Sequence, residues 1–373
     1  MNPPASIENL YLAHRIEPLT SARLTEWDAR VTHARRAPST RWQLRTRMFL
    51  RAATTSASTR IEGNQLSIWS ADQLLSGMRA GGSQRDQREV ERYAEALDLA
   101  AVLASREPFE WHEMVLQQLN ASVLRGLEND TQGRFRTGPV TVGGGFYLAP
   151  NAASVPLLMA GLIEWLRATD LHPLVRGALL HLNLIAIHPW FDGNGRTTRI
   201  MCLLDLDRIV RARELVAIEP LLEERQDAYF RHIREAVGMS WDPGNHVVTD
   251  WVSWYVGLHL EALADGEALN EAMHRDVLTI LAALEARSEP ADWGALILAS
   301  AFGPFTVGLV ERMYGSSASA ARAMAARLVT AGWLIAEGAT RGRRYGPSDR
   351  VASLGLETPG AARRWARADE QPA

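Results

Sequence analysis

HPWFDGNGRTTR, residues 188–199, interrupts a chain that otherwise reads as helix. Upstream, VRGALLHLNLIAI (175–187) is almost continuously apolar. Downstream, TTRIMCLLDLDRIV (197–210) repeats Ile200, Leu203, Leu204 and Ile209 at helical spacing. The pattern predicts two buried helices joined by a polar loop that gathers a histidine, an acid and two arginines around Gly-Asn-Gly. Gly193 and Gly195 permit positive φ, so successive N–H groups can converge into an anion-binding nest at the start of the second helix. Arg196 and Arg199 stand in that helix's first turn, where their charge opposes the dipole at about a few tenths of a kcal/mol each. A bound polyanion reverses the sign of that cost. The misfit is therefore evidence for a phosphate-bearing ligand, although surface arginines alone are unremarkable.

Asp192 has two readings of about equal weight. It is an N-cap for the following helix, or it is a ligand for Mg²⁺, which takes one or two carboxylates and completes its shell with phosphate oxygens and water. His188 closes the upstream helix, since Pro189 pushes it out of helical geometry. A lone histidine at a helix end is ordinarily structural. Beside a phosphate nest and a metal acid, its unperturbed pKa near 6.5 suits proton abstraction from a hydroxyl that attacks phosphorus. His181 has no such company and reads as core or as support for the site.

The rest of the composition narrows the chemistry. Hydrophobic residues make up 47% and charged residues 22% of the 373, an ordinary globular profile long enough for two or three compact units. A net charge of −3 gives no overall attraction to nucleic acid or to an anionic membrane. No lysine occurs, so all 40 basic residues are arginine, which excludes a Walker A loop, a kinase-type strand lysine and a Schiff base. The single cysteine, Cys202, lies in an apolar helical pattern and reads as core rather than nucleophile. The N-terminus has no secretory pattern and no apolar run is long enough to span a bilayer, so the expected location is the cytoplasm.

Around the motif, TRWQLRTRMFLRAATTSASTRIEGNQLS (40–67) predicts a helix stopped at Gly63-Asn64. QRDQREVERYAEALDLAAVLA (84–104) predicts an amphipathic helix whose charges read as a solvated face. PVTVGGGFYLAP (139–150) sets V-T-V and F-Y-L on either side of three glycines, a short β-hairpin that is either a decorative loop or an exposed edge for a partner strand. FTVGLVERMYGSSASAARAMAARLVTAGWLIAEGATRGRRYGPS (305–348) outlines a winged helix-turn-helix with Arg341, Arg343 and Arg344 at the wing tip. DNA binding through those arginines ranks below a packing or protein-binding role. The Ala/Arg/Pro-rich tail after Leu354 is expected to fray.

The motif resembles the signature of the Fic family, H-P-F-x-[D/E]-G-N-G-R-x-x-R, with Trp190 in place of the usual phenylalanine. The amino-terminal helices, the hairpin and the winged helix look like the arrangement common in that family, so the likeness extends over most of the chain. It implies a mainly α fold: a Fic-type helical core with a short β-hairpin flap, plus a C-terminal winged helix-turn-helix domain. The corresponding domains are 1–110, an N-terminal helical region with an inhibitory motif; 111–265, the catalytic core; 270–352, winged helix-like; and 353–373, a flexible tail.

The resemblance makes His188 the general base toward a Tyr, Ser or Thr hydroxyl of a target protein. It assigns Asp192 to Mg²⁺, Gly193, Asn194 and Gly195 to the anion hole, and Arg196 to a terminal phosphate. The reaction it implies is transfer of AMP from ATP. Val140, Thr141 and Val142 would belong to the flap that aligns the target, and Tyr229 is a candidate for the nucleotide-base pocket. STRIEG (58–63) is similar to the family's inhibitory pattern [S/T]-x-x-x-E-[G/N], with Ser58 and Glu62 in place. Glu62 at a helix C-terminus and Arg199 at a helix N-terminus are both disfavoured, and pairing them relieves both; alone, Glu62 is a surface glutamate before a glycine stop. Removal of AMP by the same site and a DNA-binding regulator that senses nucleotide remain as alternative functions, and a homodimer remains open.

Overall fold

A computed structural model describes residues 9–34, 41–78, 80–127, 132–143, 145–211, 216–339, 343–363 and 365. The chain divides into two compact units, each built from three segments: Met1–Arg36, Ala57–Gln65 and Ser83–Leu263 in the first; Ala37–Ser56, Leu66–Gly82 and Ala264–Ala373 in the second. Segments of the 1–110 region thus fall in both. The helices before the hairpin are α1 (Pro18–Ala34), α2 (Arg41–Arg60), α3 (Ile68–Leu75), α4 (Gln84–Ser105) and α5 (Glu113–Leu124). The hairpin is β1 (Thr141–Val142) and β2 (Tyr147–Leu148). After it come α6 (Val155–Ala168), α7 (Pro173–Ile187), α8 (Asn194–Val210), α9 (Glu219–Glu224), α10 (Gln226–Val237) and α11 (Thr249–Glu285).

Helix α7 is the axis of the first unit. Every residue from Leu174 to Ile187 is buried, as an all-round apolar helix requires. Its three polar side chains each make a hydrogen bond, although the buried His181 Nδ1 has no partner. Arg176 makes a bidentate pair with Asp205 at 2.8 and 2.8 Å, His181 Nε2 meets the Tyr229 hydroxyl at 2.8 Å, and Asn183 bonds the backbone of Tyr11 and Leu179. Helix α8 packs along α7 through Ile200 and Leu204, whereas Ile209, read from the sequence as part of the same apolar face, is 46% exposed. Cys202 is buried among these helices, where burial pushes its thiol up, consistent with the core reading.

In the second unit, α12 (Gly294–Ala301), α13 (Val307–Tyr314) and α14 (Ala318–Thr330) are followed by the antiparallel pair β3 (Leu334–Glu337) and β4 (Arg344–Pro347), with Phe305 bridged to Tyr345. Gly315 turns at φ +59 between α13 and α14, and the Ser317 side chain accepts from the Ala320 N–H to start α14. Arg341, read from the sequence as part of a wing tip, lies outside the described residues. The tail corrects expectation where it is described. After α15 (Asp349–Ala352), α16 (Thr358–Arg363) starts on the Asp276 carboxylate, which accepts from the N–H groups of Glu357 and Thr358 at 2.8 and 2.7 Å. Ala362 and Trp365 are buried, and their apolar area holds a segment whose composition alone suggests fraying. No helix among the described residues is long and apolar enough to cross a membrane.

Candidate active site

The site forms where α7 ends. His188 adopts φ +49 and ψ 60, and its N–H bonds the Leu184 carbonyl at 3.0 Å to close the helix. This left-handed conformation is rare for a residue with a side chain, and Arg136 holds it. That arginine, 2% exposed, donates to the carbonyls of His188 (2.8 Å), Gly138 (2.9 Å), Pro150 (2.5 Å) and Ile187 (3.3 Å). It therefore ties the motif to both ends of the hairpin. Nothing in the spacing of RFRTGP (134–139) marks it, because three of its four partners are backbone carbonyls 14 to 52 residues away.

The imidazole of His188 is half-buried. Its Nδ1 faces the Ile185 carbonyl at 3.3 Å, a contact that places the ring hydrogen on Nδ1 and leaves Nε2 as acceptor. Burial lowers its pKa to about 4, so the ring is neutral at physiological pH. A neutral imidazole with a free Nε2 is the state a general base needs.

Beyond the turn, Gly193 at φ +75 is the N-cap of α8. This displaces Asp192 from the N-cap role read for it: its Oδ1 instead accepts from the adjacent Gly193 N–H at 2.5 Å and from Arg196 at 3.0 Å. The Asn194 side chain is also committed elsewhere, clasping the backbone of Trp190 at 3.0 and 2.8 Å. It shapes the loop, and any part it takes in an anion hole falls to its backbone. Asn120, on α5, steadies the same loop by donating to the Asp192 carbonyl at 3.1 Å.

The two arginines near the start of α8, Arg196 and Arg199, are buried and paired. Arg199 donates to the Ser58 hydroxyl (2.6 Å), the Ser58 carbonyl (2.9 Å) and Glu62 Oε1 (2.8 Å). Helix α2 ends at Arg60, and Gly63 at φ +98 turns the chain so that Glu62 points at α8. Its carboxylate lies over the first turn of that helix, so close that a Cβ on Gly195 would come within 2.2 Å of Oε1. Arg196 pairs with Asp192 and with Glu89 of α4. Glu89 corrects the reading of α4's charges as a solvated face, since its side chain is only 13% exposed.

A cavity of about 330 Å³ is lined at its polar end by Glu62, His188, Gly195 and Arg199. Its apolar end is made by Val142 of the hairpin and by Tyr229 and Ile233 of α10. Tyr229 lines it while being 1% exposed and bonded to His181. In the hairpin, Thr141 pairs with Leu148 and Val142 with Tyr147. The outer edge of β2 is taken by Met239, whose carbonyl accepts from the Leu148 N–H at 2.9 Å. The outer edge of β1 pairs with no strand among the described residues, and Val140 and Thr141 lie along it; Gly144 is outside the described residues.

Behind Arg199, Glu219 is 1% exposed and neither carboxylate oxygen makes a hydrogen bond. Burial raises its pKa to about 7, only partly offset by nearby backbone N–H groups and Arg199; Glu223 is raised by burial to about 7 as well. Such acids bind more protons folded than unfolded between about pH 4.5 and 7, so their contribution weakens stability as pH rises through that window. The buried histidines His181 and His259, lowered by burial to about 3 and 4, act with His188 in the opposite sense, weakening stability as pH falls below about 6.5. Glu219→Gln is therefore expected to leave the urea midpoint unchanged at pH 4.5 and to add about 1–3 kcal/mol at pH 8. An equal gain at both pH values would contradict this assignment.

A histidine kept neutral by burial, the glycine-rich start of α8 and Arg199 share one cavity. Residues 103–206 match the Fic/DOC family. It is 33% identical over 218 residues to the protein adenylyltransferase fic-1 of Caenorhabditis briggsae, covering 55% of this chain and 42% of that protein. It is 29% identical over 216 residues to the protein adenylyltransferase Fic of Drosophila grimshawi, again covering 42% of the relative. The chain thus spans less than half the length of these curated relatives. Among solved structures, a Fic family protein from Desulfovibrio desulfuricans G20 aligns over 90% of this chain and 98% of its own, with a TM-score of 0.59 and 23% identity, a likeness of fold. Fic-1 (residues 134–508) from C. elegans aligns over 69% of this chain and 75% of its own, with a TM-score of 0.56 and 25% identity.

Proposed function

We propose that this chain is a protein adenylyltransferase restrained by its own Glu62. The observation that carries the reading is the cavity in which the His188 ring shares space with the first turn of α8. In the reaction, His188 Nε2 takes the proton from a target Tyr, Ser or Thr hydroxyl, and the oxygen attacks the α-phosphorus of ATP. The new O–P bond forms as the bond to the β-phosphate oxygen breaks, and pyrophosphate leaves. The N–H groups at Gly193, Asn194 and Gly195 receive phosphate oxygens. Arg199, once parted from Glu62, and Arg196 bind the outer phosphates. The edge of β1 at Val140 and Thr141 receives the target chain as an added strand, and Tyr229 backs the base end of the cavity.

Mg²⁺ fits one carboxylate here. Among the described residues no group of three or more His, Cys, Asp or Glu side chains could hold a metal, but the Asp192 side chain is 51% exposed, and a magnesium shell is commonly completed by phosphate and water. Asp192 would hold the ion, which would neutralise phosphate charge. The reading is tested with ATP labelled on the α- or the γ-phosphate. Protein should acquire the α-label alone; acquisition of the γ-label would make the chemistry phosphoryl transfer instead.

Charge distribution favours a second role for the second unit. Its segments hold 17 arginines against 14 acidic residues, a net +3, while the first unit holds 23 against 29, a net −6. Arg322 and Arg327 on α14 and Arg343 and Arg344 at the wing are exposed, a pattern suited to the phosphates of duplex DNA. With Arg343 and Arg344 replaced by alanine, the slope of log affinity against log salt should flatten by about 0.9 for each phosphate that is no longer neutralised. An unchanged slope, or no duplex binding by the parent protein at low salt, would remove DNA from its partners.

A further inference from the structure

Four groups fasten the turn that carries Glu62. Arg199 of α8 holds Ser58 and Glu62. Arg60 forms an ion pair with the nearly buried Glu223 of α9 at 2.7 Å. Gln226 of α10 donates to the Ile61 carbonyl at 3.2 Å. On the side of α4, the Asn64 amide donates to Glu89 Oε2 at 2.8 Å and to the Asp86 carbonyl at 3.1 Å.

Of these fastenings, the one through Glu89 reaches a second part of the site. Its Oε2 accepts from Asn64, two residues beyond Glu62, while Oε1 takes Nη1 of Arg196, four residues beyond Asp192. Asn64 and Arg196 are 4% and 5% exposed. A single carboxylate thus spans two segments more than 130 residues apart in sequence, in surroundings where both partners lack water as a substitute and where charge-assisted bonds are strong. Without it, the Arg196 guanidinium keeps its Asp192 carboxylate partner, and the Asn64 amide loses its charged acceptor on α4 while its bond to the Asp86 carbonyl stays.

We propose that Glu89 is a positioning residue that couples the restraining turn to Arg196, so that the hold of Glu62 on the phosphate site depends on a residue outside both sequence motifs. The proposal rests on the restrained-transferase reading above. In it, withdrawal of Glu62 and reorientation of Arg196 toward phosphate are linked events, because Glu89 bonds both segments through one side chain.

Two measurements test it on the full chain. The first needs no nucleotide. Amide hydrogen exchange at Gly63 and Asn64, whose N–H groups bond the carbonyls of Arg60 and Thr59, should quicken about tenfold in Glu89→Ala, the scale of one missing charge-assisted bond. The middle of α4 should keep its protection. Glu89→Gln retains an acceptor for Arg196 and should fall between. The second is calorimetry with ATP and magnesium. Glu89→Ala should tighten ATP by up to about tenfold when Glu62 is present and change it by less than about twofold in a Glu62→Gly background, the mark of two residues acting through one restraint. Unchanged exchange in the turn overturns the proposal, and so does an ATP effect of equal size in both backgrounds. If Glu62→Gly itself takes up no ATP, the transferase reading fails, and the exchange result still decides the role of Glu89.

Discussion

Glu62→Gly is expected to raise AMP transfer from ATP by about ten- to a hundredfold over the unaltered protein. The Glu62 carboxylate bonds Arg199 at 2.8 Å and covers the first turn of α8, so it competes with phosphate for the same guanidinium and the same N–H groups. A hydrogen bond between charged groups contributes about 1.5–3 kcal/mol, which corresponds to that range of rate when the competitor is withdrawn. Glycine also suits the turn, leaving Gly63 and the end of α2 undisturbed. The measurement is incorporation of α-labelled phosphate into the protein itself and into lysate proteins at fixed ATP and magnesium. Labelling that stays level would show that Glu62 restrains nothing. The same variant separates removal of AMP from transfer: if Glu62 aligns a hydrolytic water, Glu62→Gly should lose hydrolysis of an AMP-modified protein while its forward transfer persists.

His188→Ala, made in the Glu62→Gly background, should lower the rate constant of transfer by at least about a hundredfold, the usual contribution of a positioned general base. Its effect on ATP affinity should be small, because the phosphate ligands we propose are the first turn of α8, Arg196 and Arg199. That split identifies a base; equal losses in affinity and rate would mark His188 as a structural cap. The pH dependence carries the sign of the buried ring. Because burial lowers its pKa to about 4, transfer should hold level from neutral pH down to about 5 and fall only below that, where an imidazole at its ordinary value near 6.5 would already have lost most of its basic form.

Much of the site was legible because its chemistry is local. Residues 188–199 contain His188, the glycine-rich turn, Arg196 and Arg199 in one short stretch, and the glycine positions announce the backbone freedom that Gly193 uses at φ +75. The pairing of Glu62 with Arg199 was legible for a different reason: each sits at the wrong end of a helix for its charge, and each misfit points to a partner. What local reasoning could not supply were roles set by distant backbone. Asp192 and Asn194 have the residue types of a cap and an oxyanion donor, yet their side chains turn to Gly193, Arg196 and Trp190. The choice among such partners depends on where the loop runs, and the loop is fixed by Arg136 and Asn120.

By itself, then, the order of amino acids determined the helices of the core, the short hairpin and the polar break between α7 and α8, since hydrophobic period, glycine and proline act over a few residues. Tertiary structure alone decided which of the many charges are paired. α4 carries Arg85, Arg88, Glu89, Glu91, Arg92 and Glu95 in one run, and nothing in that run distinguishes Glu89 until folding buries it against Asn64 and Arg196. A carboxylate in water is worth little to an arginine, and the same carboxylate shielded from water is worth far more. Burial, which depends on the whole fold, is the quantity a one-dimensional reading lacks.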